Sequence, residues 1–89
     1  MIPKTQKQEV LSLLLDYKDG LTRHDFMALA YVQNAPEAIR RLRYIDGIAI
    51  HRVDVERVNK FGRKAIFGKY VLSDPKRAMM KYKQMLNDK

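Results

Sequence analysis

The sequence predicts an α+β domain, mostly helical: three helices, a two-stranded antiparallel hairpin and one further helix. Three observations lead there. The stretch Asn34 to Gly47, NAPEAIRRLRYIDG, specifies a short helix with both of its ends. Directly after Gly47 the hydrophobic period changes from helical to about 2. After Ser73-Asp74-Pro75 the helical period returns.

Taken in order, Thr5 to Asp19 reads as the first helix. Thr5 with Gln8 makes a capping box, and Val10, Leu13, Leu14 and Tyr17 share one face. Leu11 and Leu15 widen that stripe, so this is expected to be the most buried element, ended by Asp19-Gly20. Thr22 opens a second helix with Asp25 in the capping-box position, and Phe26, Leu29 and Ala30 face inward. Tyr31-Val32-Gln33 then leads into the third helix. Two short helices joined by a tight turn form a helix-turn-helix pattern, here without the glycine that such a turn often carries.

In the third helix Asn34 is the expected N-cap, Glu37 can reach back to it, Pro36 needs no amide in the first turn, and Gly47 supplies a left-handed stop. Ala38, Ile39, Leu42 and Ile45 face the core. Arg40 and Tyr44 point away from it, flanked by Arg41 and Arg43. Glu37 lies on the face of Arg40, and its expected role is the cap rather than contact with a partner.

Beyond Gly47, Ile48-Ala49-Ile50 and Val53-Asp54-Val55 alternate, as does the run from Ile66 to Leu72. The two apolar sets of the first strand are out of phase, which predicts a bulge or kink near His51-Arg52. Asn59 to Lys64 is the turn, basic and glycine-containing. Phe61 at its tip is expected to fold back on the hairpin, the alternative being a wedge between base steps. The last helix runs from an N-cap at Ser73 to about Asn87. Met79, Tyr82 and Leu86 share one face, and Lys76, Arg77, Lys81, Lys83 and Lys89 cover the remainder. That helix either completes the core on the first helix or forms a homodimer interface over residues 75–87.

Composition narrows the function. Eighty-nine residues make one small domain, and the net charge is +8. Between Arg40 and Lys69 stand nine basic and three acidic residues, so +6 of that charge lies in one third of the chain. Such a surface favours polyanions through counterion release, though a solvated basic face is the plainer reading. There is no cysteine, hence no disulfide framework and no thiolate zinc site. His24 and His51 are too few and too far apart to suggest a metal. No phosphate loop, HExxH or nucleophile motif is present, so neither an enzyme nor a cofactor is expected. The start, MIPKTQKQEV, lacks the apolar region of a secretory signal, and no stretch approaches a membrane span. The expectation is a cytoplasmic protein without a membrane partner.

Leu21-Thr22, Ala38 to Arg43, Asp46-Gly47-Ile48 and the closing Gly68-Lys69-Tyr70-Val71-Leu72 together resemble the winged helix-turn-helix family of DNA-binding domains, in particular small phage and prophage helix-turn-helix proteins. The resemblance covers roughly Thr5 to Ser73; the expected division is residues 1–73 as a winged domain and 74–89 as an added C-terminal helix. It implies double-stranded DNA as partner, with helix 35–46 in the major groove and the basic wing, 57–64, on the backbone. Carried onto this chain, Arg40, Arg41, Arg43 and Tyr44 are the groove-facing set. Gln33 and Asn34 reach bases or phosphates near the helix start. Lys60, Arg63 and Lys64 clamp phosphates without reading sequence. Arg23 and His24 meet a phosphate at the start of the second helix. The implied role is a phage or prophage regulator of transcription or recombination. The alternatives are a winged module that binds a host or phage protein without DNA, and a binder of structured RNA.

Overall fold

The computed structural model describes residues 3–87; Lys89, one of the basic residues assigned to the last helix, lies outside them. The element order is α1 (Gln6–Asp16), β1 (Leu21–Thr22), α2 (Arg23–Ala30), α3 (Ala35–Tyr44), β2 (Ile50–Val58), β3 (Lys64–Leu72) and α4 (Pro75–Asn87). The expected α+β class is present, with four helices and one antiparallel sheet. That sheet has three strands in the order β1-β3-β2, not two. The added strand is Leu21-Thr22, which pairs with Tyr70 and Lys69. Two residues are too few to show a period of 2, so nothing in their pattern marks them as a strand.

Thr5 caps α1 as expected: its hydroxyl accepts from the Gln8 amide at 3.2 Å. The reciprocal bond is displaced by one residue, because the Gln8 side-chain oxygen accepts from Lys4 N at 2.7 Å. The Gln8 amide nitrogen donates to Met85 O at 3.4 Å, tying α1 to α4. The helix ends at Asp16 rather than Asp19, and Tyr17, expected in the core, is exposed. Gly20 then takes φ +101 where the chain enters the sheet. A Cβ there would lie 2.7 Å from the Tyr70 carbonyl oxygen and 2.6 Å from Val71 Cγ2, so only glycine fits.

The capping box Thr22/Asp25 is fully formed, with Asp25 Oδ2 accepting from Thr22 N at 2.9 Å and the Thr22 hydroxyl from Asp25 N at 3.3 Å. Phe26 is completely buried and Ala30, half-buried, packs against the core as expected, whereas Leu29 is exposed, against expectation. A helix of eight residues presents a single inward position per turn, and Phe26 occupies it. The turn to α3 needs a left-handed residue, and Tyr31 supplies it at φ 55 in place of glycine.

Helix α3 buries Ala35, Ala38, Ile39 and Leu42. It ends at Tyr44, and Ile45, expected inside, is exposed because the chain is already turning toward Gly47 at φ +68. Ile48 N closes the turn on Leu42 O at 2.9 Å. Ile48, Ile50 and Leu72 then join the core, whose fully buried members include Val10, Leu11, Leu14, Phe26 and Leu42. Each such side chain contributes about 1.5–3 kcal/mol by leaving water.

The hairpin is longer than the sequence suggested, and it has no bulge. Nine pairs run unbroken from Ile50↔Leu72 to Val58↔Lys64. Beyond Ile50 it is β3 that stays against the body, through Tyr70, Lys69 and Phe67, while β2 is the outer strand of the sheet, so no core demands that Val53 and Val55 face the same way as Ile50. Val53 is exposed and Val55 half-buried. Nine residues per strand make a hairpin of about 30 Å, whose outer part, beyond Ile66, stands clear of the body and lengthens a molecule measuring 49 × 23 × 20 Å.

Helix α4 is capped by Asp74, whose Oδ1 accepts from Arg77 N at 3.3 Å. The expected cap, Ser73, instead shares a 2.8 Å hydrogen bond with His51 Nδ1 across the hairpin base. Ala78 and Tyr82 are buried, with Met85 and Leu86 partly buried on the core, while Met79 and Met80 are exposed. The face containing Tyr82 is therefore spent within the chain. No helix among the described residues is long and apolar enough to cross a membrane.

Candidate nucleic-acid interface

Four buried residues fix the roll of α3 and thereby its outer face. Glu37 and Tyr44 stand opposite the core, Arg40 and Arg43 flank them on one side, and Asn34 and Arg41 on the other. All four arginine and tyrosine members of the expected groove-facing set, Arg40, Arg41, Arg43 and Tyr44, are exposed, as are Gln33 and Asn34. The Arg43 guanidinium lies 5.5 Å from the centroid of the Tyr44 ring, a cation–π distance that holds both at the C-terminal end of the helix.

Glu37 does not cap. Asn34 makes no side-chain cap bond, its ψ of 58° taking it out of the extended geometry a cap needs. The Glu37 carboxylate instead accepts from Arg40 Nε at 3.3 Å and Nη2 at 3.4 Å, and from Arg41 Nε at 3.3 Å. Charge-assisted bonds to partners three and four residues on outcompete one neutral amide. The Arg40 hydrogen bond first, and that from Arg41 next, hold the Glu37 carboxyl below the usual carboxylate range. Two of the three α3 arginines are thus engaged, while Asp46 pairs with Lys7 of α1 at 2.8 Å.

On the Arg40/Arg43 side, the row of α3 begins at Pro36, which lines a cleft of about 420 Å³ shared with the hairpin. Arg23 and His24, the first residues of α2, form its wall with Thr22, facing Arg52, Gly68 and Tyr70. His24 meets the Phe67 ring edge-on at 5.2 Å. The Arg52 guanidinium rests over Gly68, where a Cβ would lie 2.6 Å from Cζ; its Nε is 3.6 Å from Asp54 Oδ1. Sequence reasoning missed Arg52. The signal was available in the pairing of Arg52 with Tyr70, which places it on the strand face that contains Gly68.

At the hairpin tip, Asn59 Oδ1 accepts from both Phe61 N and Arg63 N at 2.9 Å, and Gly62 takes φ +86. This turn holds Lys60, Arg63 and Lys64 in solvent. Lys64 pairs with Glu56 at 3.4 Å, and Lys60 Nζ lies 5.1 Å from the Phe61 ring centroid. Phe61 does not fold back on the hairpin: it is 83% exposed. The expected site residues thus fall into three groups, on α3, at the hairpin base and at the hairpin tip, with Asn34 and Arg41 turned toward Gln6 and Lys7 of α1. No family model, curated protein or solved structure matches the chain.

Proposed function

We propose that this chain is a winged helix-turn-helix domain that binds double-stranded DNA sequence-specifically, with α3 in the major groove and the hairpin as a wing along the backbone. The observation that carries this reading is the run of arginines from Arg43 and Arg40 on α3, past Pro36, to Arg23 and Arg52 at the hairpin base, with His24 beside them. A groove-bound helix needs its apolar side held by the body and its basic side exposed, which is the division across α3. The element order, with a short β1 bracing the hairpin against the helices, supports the winged arrangement. Arginine side chains can read guanine bidentately in the major groove, and the wing cations meet phosphates. The role proposed is regulation of transcription or recombination, of the phage or prophage type.

A second reading, a module for binding a protein without DNA, draws on the apolar groove formed by Leu15, Pro75, Met79 and Met80 between α1 and α4. A homodimer through residues 75–87 would use the same groove, since Tyr82 faces α1, and would bring two recognition helices onto a palindromic site. The variant Arg40→Ala/Arg41→Ala separates these readings. DNA affinity should fall while the melting temperature moves by less than about 4 °C, because both side chains are on the surface. Unchanged DNA affinity would count against the groove-bound α3.

A further inference from the structure

We infer that Phe61 is a wedge that enters a base-pair step of the bound duplex and bends it. The inference rests on the proposed DNA binding and adds what the wing tip does there. Aromatic rings left in water on a rigid turn call for an explanation, and this ring has no role in the fold: it is 83% exposed at the tip of a hairpin of about 30 Å whose base is packed on the body. Its placement is fixed by the turn. Asn59 Oδ1 binds the Phe61 and Arg63 amides, Asn59 N donates to Arg63 O at 2.9 Å, and Gly62 N donates to Asn59 O at 3.0 Å. A side chain so presented enters a partner without first losing backbone freedom.

The surroundings select the partner. Lys60 and Arg63 share the turn with Phe61, and Lys64, paired with Glu56, follows at the start of β3, so phosphates near the tip have cations to meet. Lys60 already sits on one ring face, and moving it to a phosphate exposes the π surface for stacking. Behind the tip, Val58 and Ile66 are exposed on one face of the hairpin, 61% and 68% respectively. They are placed to lie against the sugars that wall a minor groove, as apolar residues beside an inserted wedge do.

The test uses the full chain and end-labelled duplexes whose centre is either a flexible TA step or a stiff A-tract, read by resonance energy transfer between the ends. The wild type should bend the TA duplex by roughly 20–90° toward the major groove. Phe61→Ala should leave it straight, retain the salt dependence of binding and melt at the wild-type temperature, whereas Phe61→Leu, still an apolar wedge, should keep part of the bend. Equal bending by wild type and Phe61→Ala, or steeply salt-dependent binding without any bend, would overturn the wedge and leave DNA binding standing. Absence of salt-dependent DNA binding by the wild type would remove both. Phe61-dependent binding to vesicles of phosphatidylcholine and phosphatidylserine, with the duplex left straight, would overturn the wedge in favour of a membrane surface.

Discussion

Replacing Glu37 with Gln is expected to act with opposite sign on binding and on folding. In the free protein the Glu37 carboxylate engages two of the three guanidiniums on the outer face of α3, both of which are more than 60% exposed. A phosphate approaching that face must displace the carboxylate and tolerate its charge. Without it the face rises from +2 to +3, counting Arg40, Arg41 and Arg43. Affinity for duplex DNA should rise about three- to tenfold near 0.1 M salt, as expected for removing one like charge at close range from a phosphate. The log–log salt slope should steepen by up to about 1.8, two freed contacts at roughly 0.9 each. Folding should weaken slightly, because the helix loses its pairs at three and four residues' spacing. The same logic sets the pH dependence. Glu37 titrates below its ordinary range, so its pairing stabilises the fold above the unfolded carboxylate pKa and is lost as pH falls through the lowered value. Wild type and Glu37→Gln should therefore differ in melting temperature near neutrality and converge as pH falls through the lowered value. Fluorescence anisotropy over a salt series, with thermal melts beside it, reads both effects. Weaker binding by Glu37→Gln would refute the reasoning and assign the carboxylate a direct contact with a base.

Two further substitutions test the wing. Lys60→Ala/Lys64→Ala should weaken binding to all sequences alike and flatten the salt slope by about one to two, nearer one if Glu56 keeps Lys64 occupied; a loss confined to one sequence would contradict the clamp. Gly68→Ala should expel the Arg52 guanidinium from the hairpin-base cleft, since the new Cβ would lie 2.6 Å from Cζ and 2.8 Å from Nη2. The strand itself gains about 0.5–1 kcal/mol from alanine over glycine, so the melting temperature should hold or rise while DNA affinity drops several-fold, and unchanged affinity would place Arg52 outside the interface.

The helical half of the chain was largely legible because its signals are local. Thr5, Thr22, Asp25 and Gly47 act within a few residues of themselves, and the period of α3 placed Ala38, Ile39 and Leu42 inward and its arginines outward. What escaped depends on tertiary geometry. The strand Leu21-Thr22 exists only because Gly20 lets the chain lie against Tyr70. The missing bulge follows from β2 being the outer strand of the sheet, which no period in Val53 or Val55 could reveal. Glu37 was assigned to the cap because spacing alone cannot rank an amide at Asn34 against two guanidiniums. Arg52, named in the sequence only at the expected bulge, joins Arg23 and His24 through its register with Tyr70. Phe61 was expected to bury itself, but the Asn59 turn holds it outward.

The proposed interface stands or falls with the salt dependence of binding. A labelled random-sequence duplex titrated with the wild-type protein at about 50 and 200 mM salt should lose roughly 10³–10⁵ in affinity if 6–10 phosphates are contacted, with a smaller but linear loss for a smaller footprint. Affinity that hardly changes with salt, or no binding at the lower salt, would contradict the account and turn attention to the apolar groove between α1 and α4.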